Sequence, residues 1–352
     1  MGKGRKTKKY IMIKGFVTGS FRPMHKGHEA LINYAKSNCD ELTILITTLP
    51  DEVIPYKYRL KWVLSTYLDD PKVQIIADII EEPLLKGDAL SGWWGMYVKT
   101  KYGQFDRVFT SEDYGDVFSK GMGAEHWRFD QERNIIPISA TLIRQKPIKY
   151  WGYINNFAKD YFVKKIAIVG TESTGKTTLC KKLAEYYNTS WAPEAGRDLI
   201  PNSRECTVED LKLVGAEHAK NIIRAIRHSN KVVFIDTDLQ ITKDYAEYLF
   251  DQTLKFEPWI EKANKVDFYI YLEKDAPYID DGTRLPKEQR NELDDVHYKN
   301  IFLRNNNLKG YIFNPEFEEG ESEEEKDMIV NRAYNERFRS IIQDIDKFLS
   351  QF

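Results

Sequence analysis

Cysteine is scarce in this chain of 352 residues: Cys39, Cys180 and Cys206 stand far apart, with no C-x-x-C spacing. That excludes a disulfide framework and a cysteine-based zinc site, and it fits a reducing cytosol. An excess of one charge is also lacking, since 52 basic and 54 acidic residues leave a formal net charge of -2. No general pull toward nucleic acid or an anionic membrane is expected from that balance. No apolar run reaches transmembrane length, and the basic stretch at residues 1–9 is not followed by the apolar core of a signal peptide. A cytoplasmic protein with no membrane and no nucleic-acid partner is therefore expected. No G-x-G-x-x-G follows the first apolar run, which disfavours a hydride-transfer dinucleotide fold.

What is present is an alternation of short apolar runs with amphipathic helical patterns. Strands are predicted over 10–17, 41–47, 72–79 and 106–110, with helices between them, which argues a parallel α/β sheet with its ligand at the carboxyl ends of the strands. The first strand runs into Gly19-Ser20-Phe21-Arg22-Pro23-Met24-His25-Lys26-Gly27-His28. A strand, a glycine-containing turn and a helix start aim backbone N–H groups at an anion. His25 and His28 can then face one phosphate, and Gly27, without a Cβ, lets a nucleotide approach the backbone. The same half closes on Ile138-Ser139-Ala140-Thr141-Leu142-Ile143-Arg144, in which Ser139 or Thr141 caps a helix and leaves Arg144 one turn inside it. Hydroxyls and an arginine there make a second anion-binding site.

Residues 146–162 are aromatic and proline-containing and read as a connector, partly packed because a free linker would be polar. An apolar strand at 165–169 then enters Gly170-Thr171-Glu172-Ser173-Thr174-Gly175-Lys176-Thr177-Thr178, a complete G-x-x-x-x-G-K-T. Its amides wrap the phosphates of ATP, Lys176 reaches the outer oxygens, and Thr177 ligates Mg²⁺. Downstream, a second apolar strand ends in Asp236-Thr237-Asp238. Asp236 is placed to hold Mg²⁺ or accept a hydroxyl proton, whereas Asp238 either faces substrate or caps the next helix. Glu194 and Arg197 face the acceptor or pair with each other, with Glu194 the second choice of base. Asn264-Lys265-Val266-Asp267 spells the guanine-reading N-K-x-D, but its apolar run follows the motif instead of preceding it, so ATP and not GTP is the expected donor.

Asp280-Asp281-Gly282-Thr283-Arg284 and then Arg290 suit a mobile lid, with Arg284 on the nucleotide and Asp281 on the substrate. Residues 313–327 are glutamate-rich and read as a solvated loop. Tyr334, Phe338, Ile341, Ile345 and Phe348 then mark a terminal amphipathic helix. Trp93 and Trp94, between Gly92 and Gly95, offer indoles flanked by flexible glycines on which a cationic pyridinium could stack, or else belong to the core. Arg59 could reach a phosphate but reads better as a surface helix arginine.

The histidine motif resembles the G-x-F-x-P-x-H-x-G-H signature of the nucleotidylyltransferase superfamily, and the Ile138–Arg144 run resembles its second signature, I-S-x-T-x-I-R. With the phosphate loop, in this order, the chain from Tyr10 onward resembles the NadR family of bifunctional nicotinamide-nucleotide adenylyltransferase/ribosylnicotinamide kinases. The resemblance implies a Rossmann-like nucleotidylyltransferase parallel sheet over residues 10–150 and a doubly wound P-loop kinase sheet over 163–352. It implies that ribosylnicotinamide is phosphorylated to nicotinamide mononucleotide (NMN), which is then adenylylated to NAD, with ATP and Mg²⁺ in use. Some members carry a further amino-terminal DNA-binding domain, for which the residues before Tyr10 leave no room, so no repressor role is expected. A homo-oligomer is compatible with the sequence. Two other readings start from the same motifs: a different phosphorylated acceptor of the pantetheine-phosphate type, or a nucleotide sensor with little turnover.

Overall fold

The computed structural model describes residues 11–48, 52–200, 205–275, 285–304, 307–318 and 321–352. The chain divides into two compact units, one ending at Lys159 and the other beginning at Asp160. No helix among the described residues is long and apolar enough to cross a membrane.

The first unit holds strands β1 (Lys14–Gly19), β2 (Glu41–Thr48), β3 (Val73–Ile79), β4 (Arg107–Thr110) and β5 (Glu125–Arg128). They pair in parallel in the order β3-β2-β1-β4-β5. The first strand begins four residues later than predicted from its apolar run and extends to Gly19, while β5 was not anticipated. Its Glu-His-Trp-Arg sequence has neither alternation nor β-branched residues. Helices α1 (Lys26–Ser37), α2 (Tyr56–Tyr67), α3 (Gly87–Tyr102), α4 (Gly115–Met122) and α5 (Ala140–Gln145) complete the unit. Leu42 and Ile44 to Ile46 of β2 are fully buried, as expected of a parallel strand covered on both faces.

The glycines beside the tryptophans are not flexible hinges. They lie inside α3 where it meets α4: a Cβ on Gly95 would stand 2.1 Å from the Phe118 carbonyl oxygen, and one on Gly121 2.5 Å from that of Gly92. Missing side chains let the two backbones touch. The connector is packed, with Trp151, Ile154 and Ala158 buried. Asn155 donates its backbone N–H to the Met24 carbonyl (3.2 Å) and its side-chain amide to Glu29 (2.8 Å), so this segment is fastened to the histidine motif.

The second unit holds β6 (Lys164–Val169), β7 (Trp191–Ala192), β8 (Val232–Asp236), β9 (Phe268–Leu272) and β10 (Leu308–Tyr311), parallel in the order β10-β9-β6-β8-β7. Its helices are α6 (Lys176–Tyr186), α7 (Gly196–Leu199), α8 (Val208–Arg227), α9 (Leu239–Phe250), α10 (Pro258–Ala263), α11 (Lys287–Arg304) and α12 (Glu323–Leu349). All five residues of β8 and of β9 are buried. Ile341, Ile345 and Phe348 of α12 pack with Ile166, Ile168, Phe268 and Ile270 of the sheet, as the terminal heptad-like spacing predicts. The acidic stretch is only partly a loop: Ser322 caps α12 in a reciprocal pair with Glu325, and Glu323 to Asp327 form its first turns, where carboxylates favour the helix dipole. The N-K-x-D sequence lies at the amino ends of the strands, where Asp267 accepts the Lys165 N–H (2.8 Å) and Asn264 bonds back to Ile260. That is the edge opposite the phosphate loop, so its resemblance to a guanine reader has no bearing on the nucleotide.

Candidate functional site: two phosphate cradles

The first cradle opens where β1 ends. His25, in extended backbone geometry, is the N-cap of α1: its Nδ1 accepts the N–H groups of Gly27 (3.1 Å) and His28 (3.4 Å), while His28 Nδ1 accepts the His25 N–H (3.3 Å). The rings stack with centroids 3.8 Å apart. A nitrogen that accepts an N–H carries no proton, so each ring bears its hydrogen on Nε2. Burial, with the positive charge of Arg133, pushes His25 down from 6.5 to about 4, and burial with its neighbour His25 holds His28 well below the usual range. The pair therefore presents two neutral N–H donors side by side, suited to phosphate oxygens.

A Cβ on Gly27 would first meet the His25 ring, at 3.0 Å, so the glycine makes room for the capping imidazole. Gly19 similarly faces the Phe21 ring, 3.3 Å from where its Cβ would be. Phe21 is buried in left-handed backbone geometry with its ring against His28 (centroids 4.9 Å), so it walls the histidine and presents no face to a ligand.

Ser139 is the residue that caps α5, accepting the Leu142 N–H (3.2 Å). Arg144 lies one turn inside this six-residue helix, as expected; one Nη donates to Thr141 Oγ1 (3.0 Å) and the other to the Arg22 carbonyl. The second motif is thus pinned onto the first through Arg144.

Arg59 corrects its own reading most sharply. It is fully buried behind the motif, donating to the carbonyls of Ser20 (2.7 Å) and Thr47 (2.9 Å), to Thr48 Oγ1 (2.6 Å) and to the Glu52 carboxylate. A guanidinium fork that spans the ends of β1 and β2 holds the histidine turn in place. Trp93 and Trp94 are both half-buried on α3. Trp94 packs on the core and donates Nε1–H to Glu82 (3.1 Å), whereas Trp93 stacks on Tyr97 (centroids 5.1 Å).

The second cradle follows β6. Gly170 at φ +133° passes so close to β9 that a Cβ would lie 2.4 Å from the Leu272 oxygen, and Gly175 at φ +88° opens α6. These two positions require glycine. Lys176 is buried and rests on the Thr171 carbonyl (2.8 Å). Thr177 donates its hydroxyl to Asp236 Oδ2 (2.6 Å), and Asp236 Oδ1, buried, has no partner. Thr178 is exposed on the first turn of α6. Arg290 is not a lid residue: it is buried and donates Nε and Nη2 to the Glu172 carbonyl (3.2 and 3.0 Å), bracing the loop from α11. Asp281 and Arg284, with the rest of the predicted lid, lie outside the described residues.

A cavity of ≈ 300 Å³ adjoins the loop, lined by Lys176, Glu194, Arg197, Thr237, Tyr245 and His297 among others. Glu194 and Arg197 line it and also pair with each other (3.5 Å). Burial, with Asp236 nearby, raises the Glu194 carboxyl against the opposing pull of Lys176. Asp238 is elsewhere occupied: Oδ1 caps α9 through the Gln240 N–H (2.7 Å) and Oδ2 accepts the Tyr269 hydroxyl (3.0 Å). With both oxygens engaged it is a structural cap, the second of the two readings the sequence allowed, and not the substrate ligand of the first. Sequence reasoning missed Tyr245, whose hydroxyl reaches Glu172 (3.0 Å), and His297, oriented by the buried Asp244 (2.8 Å). Neither sits in a recognisable local pattern. Among the described residues no group of three or more His, Cys, Asp or Glu could hold a metal.

A sequence model of the AAA domain matches residues 165–309. The chain is 31% identical over 326 residues to the trifunctional NAD biosynthesis/regulator protein NadR of Escherichia coli (strain K12), covering 84% of this chain and 77% of that protein. It is also 31% identical over 319 residues to the Salmonella typhimurium protein of the same name, with the same coverage. Among solved structures, the fold matches the crystal structure of NadR protein in complex with NR at a TM-score of 0.70 and 21% identity, over 94% of this chain and 98% of that one. The complex of NadR protein with NAD and AMP-PNP matches at 0.69 and 20% identity, over 93% and 96%.

Proposed function

This chain belongs to the NadR family, and on that premise we propose that it makes NAD in two successive ATP-dependent steps, one on each unit. Residues 163–352 phosphorylate ribosylnicotinamide to NMN, and residues 10–150 transfer the adenylyl group of a second ATP to NMN, releasing pyrophosphate. The observation that carries this reading is that one chain holds two phosphate-binding motifs in folded geometry: the stacked His25/His28 donors and the Thr177–Asp236 pair at the phosphate loop.

In the kinase step the ribose hydroxyl attacks the γ-phosphorus, its proton leaves, and ADP departs. The loop amides and Lys176 hold the triphosphate, and Glu194 receives the proton. Glu194 is preferred to Asp236 because it lines the acceptor cavity and burial has raised its basicity, whereas Asp236 already takes the Thr177 hydroxyl. Arg197 orients Glu194 from its side. The Thr177 oxygen and the unpartnered Asp236 Oδ1 fit Mg²⁺, which takes few protein oxygens and keeps several waters. When bound, Mg²⁺ would share the charge of the triphosphate.

In the adenylyl step no protein nucleophile is needed. An oxygen of the NMN phosphate attacks the α-phosphorus of ATP, and the bond to the β-phosphate oxygen breaks. The phosphate is already anionic, so the protein's work is alignment and stabilisation of the charge passing to pyrophosphate. His25 and His28 donate through Nε2–H, and Arg144, held on the Arg22 carbonyl of the same motif, adds a fixed positive charge. Trp93 offers the stacking face for nicotinamide. Small molecules are the partners in this reading, and the cytoplasm is its place.

Incubation with ATP and a panel of acceptors tests the assignment. NAD formed from ribosylnicotinamide, through NMN, supports it; transfer only to a pantetheine-phosphate-type acceptor, or binding without turnover, contradicts it.

A further inference from the structure

Arg337, midway along α12, is buried to nine-tenths, yet its Nη1 has no hydrogen-bond partner. Its guanidinium carbon lies 4.9 Å from the centre of the Phe313 ring and 5.8 Å from that of Tyr334, whose buried hydroxyl is likewise without a partner. The acid that acts on it electrostatically, Asp275, accepts the backbone N–H of Phe313. A buried guanidinium is costly unless its donors are satisfied, and within the second unit the described neighbours of Arg337 leave one donor free.

Its surroundings say what would satisfy it. A Cβ built on Gly175 would come 3.9 Å from Arg337 Nη2, so the guanidinium flanks the residue that opens α6, just before Lys176 and Thr177. Gly175 itself is exposed. The phosphate loop follows β6, Asp275 follows β9 and Phe313 follows β10, which are neighbouring strands. Strand order changes direction between β6 and β9, and that crevice at the carboxyl ends is where open α/β sheets take their ligands. An unpaired arginine donor beside the glycine of a phosphate loop, backed by an aromatic ring, suits an anionic oxygen of a nucleotide.

We propose that Arg337 completes the donor-nucleotide site of the kinase unit, its free Nη1 donating to a phosphate oxygen of the bound nucleoside triphosphate while Phe313 holds the guanidinium plane. The inference rests on the kinase reading of this unit. Arg337 is a binding residue here and takes no part in moving the proton.

The test uses the full-length chain with Arg337→Met and Arg337→Lys. The readouts are kinase KM for ATP, KM for ribosylnicotinamide, adenylyl transfer, and the melting temperature with and without AMP-PNP. The expected result for Met is a KM for ATP at least tenfold higher, with the acceptor KM within twofold and adenylyl transfer unchanged. The methionine chain removes an orphaned charge, so the unliganded protein should melt no lower than wild type while the AMP-PNP-induced shift shrinks. Lysine should recover part of the ATP affinity. An ATP KM within twofold of wild type in both variants overturns the proposal. So does a lower unliganded melting temperature in both with an undiminished AMP-PNP shift, which marks a structural role. If the wild-type protein fails to phosphorylate ribosylnicotinamide, the kinase reading falls, and the AMP-PNP shift still decides the role of Arg337.

Discussion

Replacing Arg59 with methionine should disable adenylyl transfer and spare the kinase, although Arg59 is placed to touch neither substrate. The substitution takes the donors from two backbone carbonyls, Ser20 and Thr47, and from the Thr48 hydroxyl, and it leaves the nearly buried Glu52 with the Thr48 hydroxyl and, as its cation, the partly exposed Arg22. Breaking a buried ion pair from one side costs about 3–5 kcal/mol. For a unit of this size that lowers the melting temperature by on the order of 10 °C. Ser20 lies five residues before His25, so loosening its anchor displaces the paired imidazoles. A misplacement of about 1 Å at a reacting centre costs roughly 100-fold in rate. The assay is denaturant unfolding followed alongside both activities on the same preparation. Arg59→Lys, which keeps the charge and loses the fork, should fall between. Adenylyl transfer within twofold of wild type in Arg59→Met, with an unshifted first transition, would refute the claim that this residue holds the motif.

Four further outcomes follow from the same geometry. His25 titrates near 6.5 when unfolded and at about 4 when folded, so between those values the unfolded chain binds more protons. Stability of the first unit should be complete above pH 6.5 and fall by up to about 3 kcal/mol as pH drops toward 4. Denaturant midpoints against pH should lose part of that slope in His25→Asn, and an unchanged slope counts against the buried neutral imidazole. Glu194→Gln should lower kinase kcat by about 10²–10⁴-fold with little change in ATP KM, whereas Asp238→Ala should cost about 1–2 kcal/mol of stability as a lost cap and leave kcat within a few-fold. Trp93→Ala should raise the KM for NMN by the loss of about 0.5–2 kcal/mol of stacking while ATP KM stays put, and equal KM values in wild type and variant dispose of the stacking face.

Both cradles were legible because each is a contiguous run of about ten residues whose flanking strand and helix are visible in the apolar pattern. The parallel sheets were legible for the same local reason: alternating strands and helices leave few other ways to cover both faces. What escaped depends on partners far apart in the chain. Arg59 reads as a surface helix residue until the carbonyl 39 positions before it is brought alongside, and Arg290 reads as a lid residue until Glu172, 118 positions earlier, meets it. His297 gains its orientation from Asp244, 53 positions away, with no spacing to announce it. The glycines show another limit. Their presence at 27, 92 and 95 was plain, but whether a ligand, a ring or a neighbouring helix fills the missing Cβ is decided by packing alone.

The most direct test of two independent sites is to assay His28→Ala and Lys176→Ala for both half-reactions, supplying ribosylnicotinamide to one set and NMN to the other. The account predicts that His28→Ala stops NAD formation from NMN yet still makes NMN, and that Lys176→Ala does the reverse. Loss of both reactions in either folded variant would contradict it.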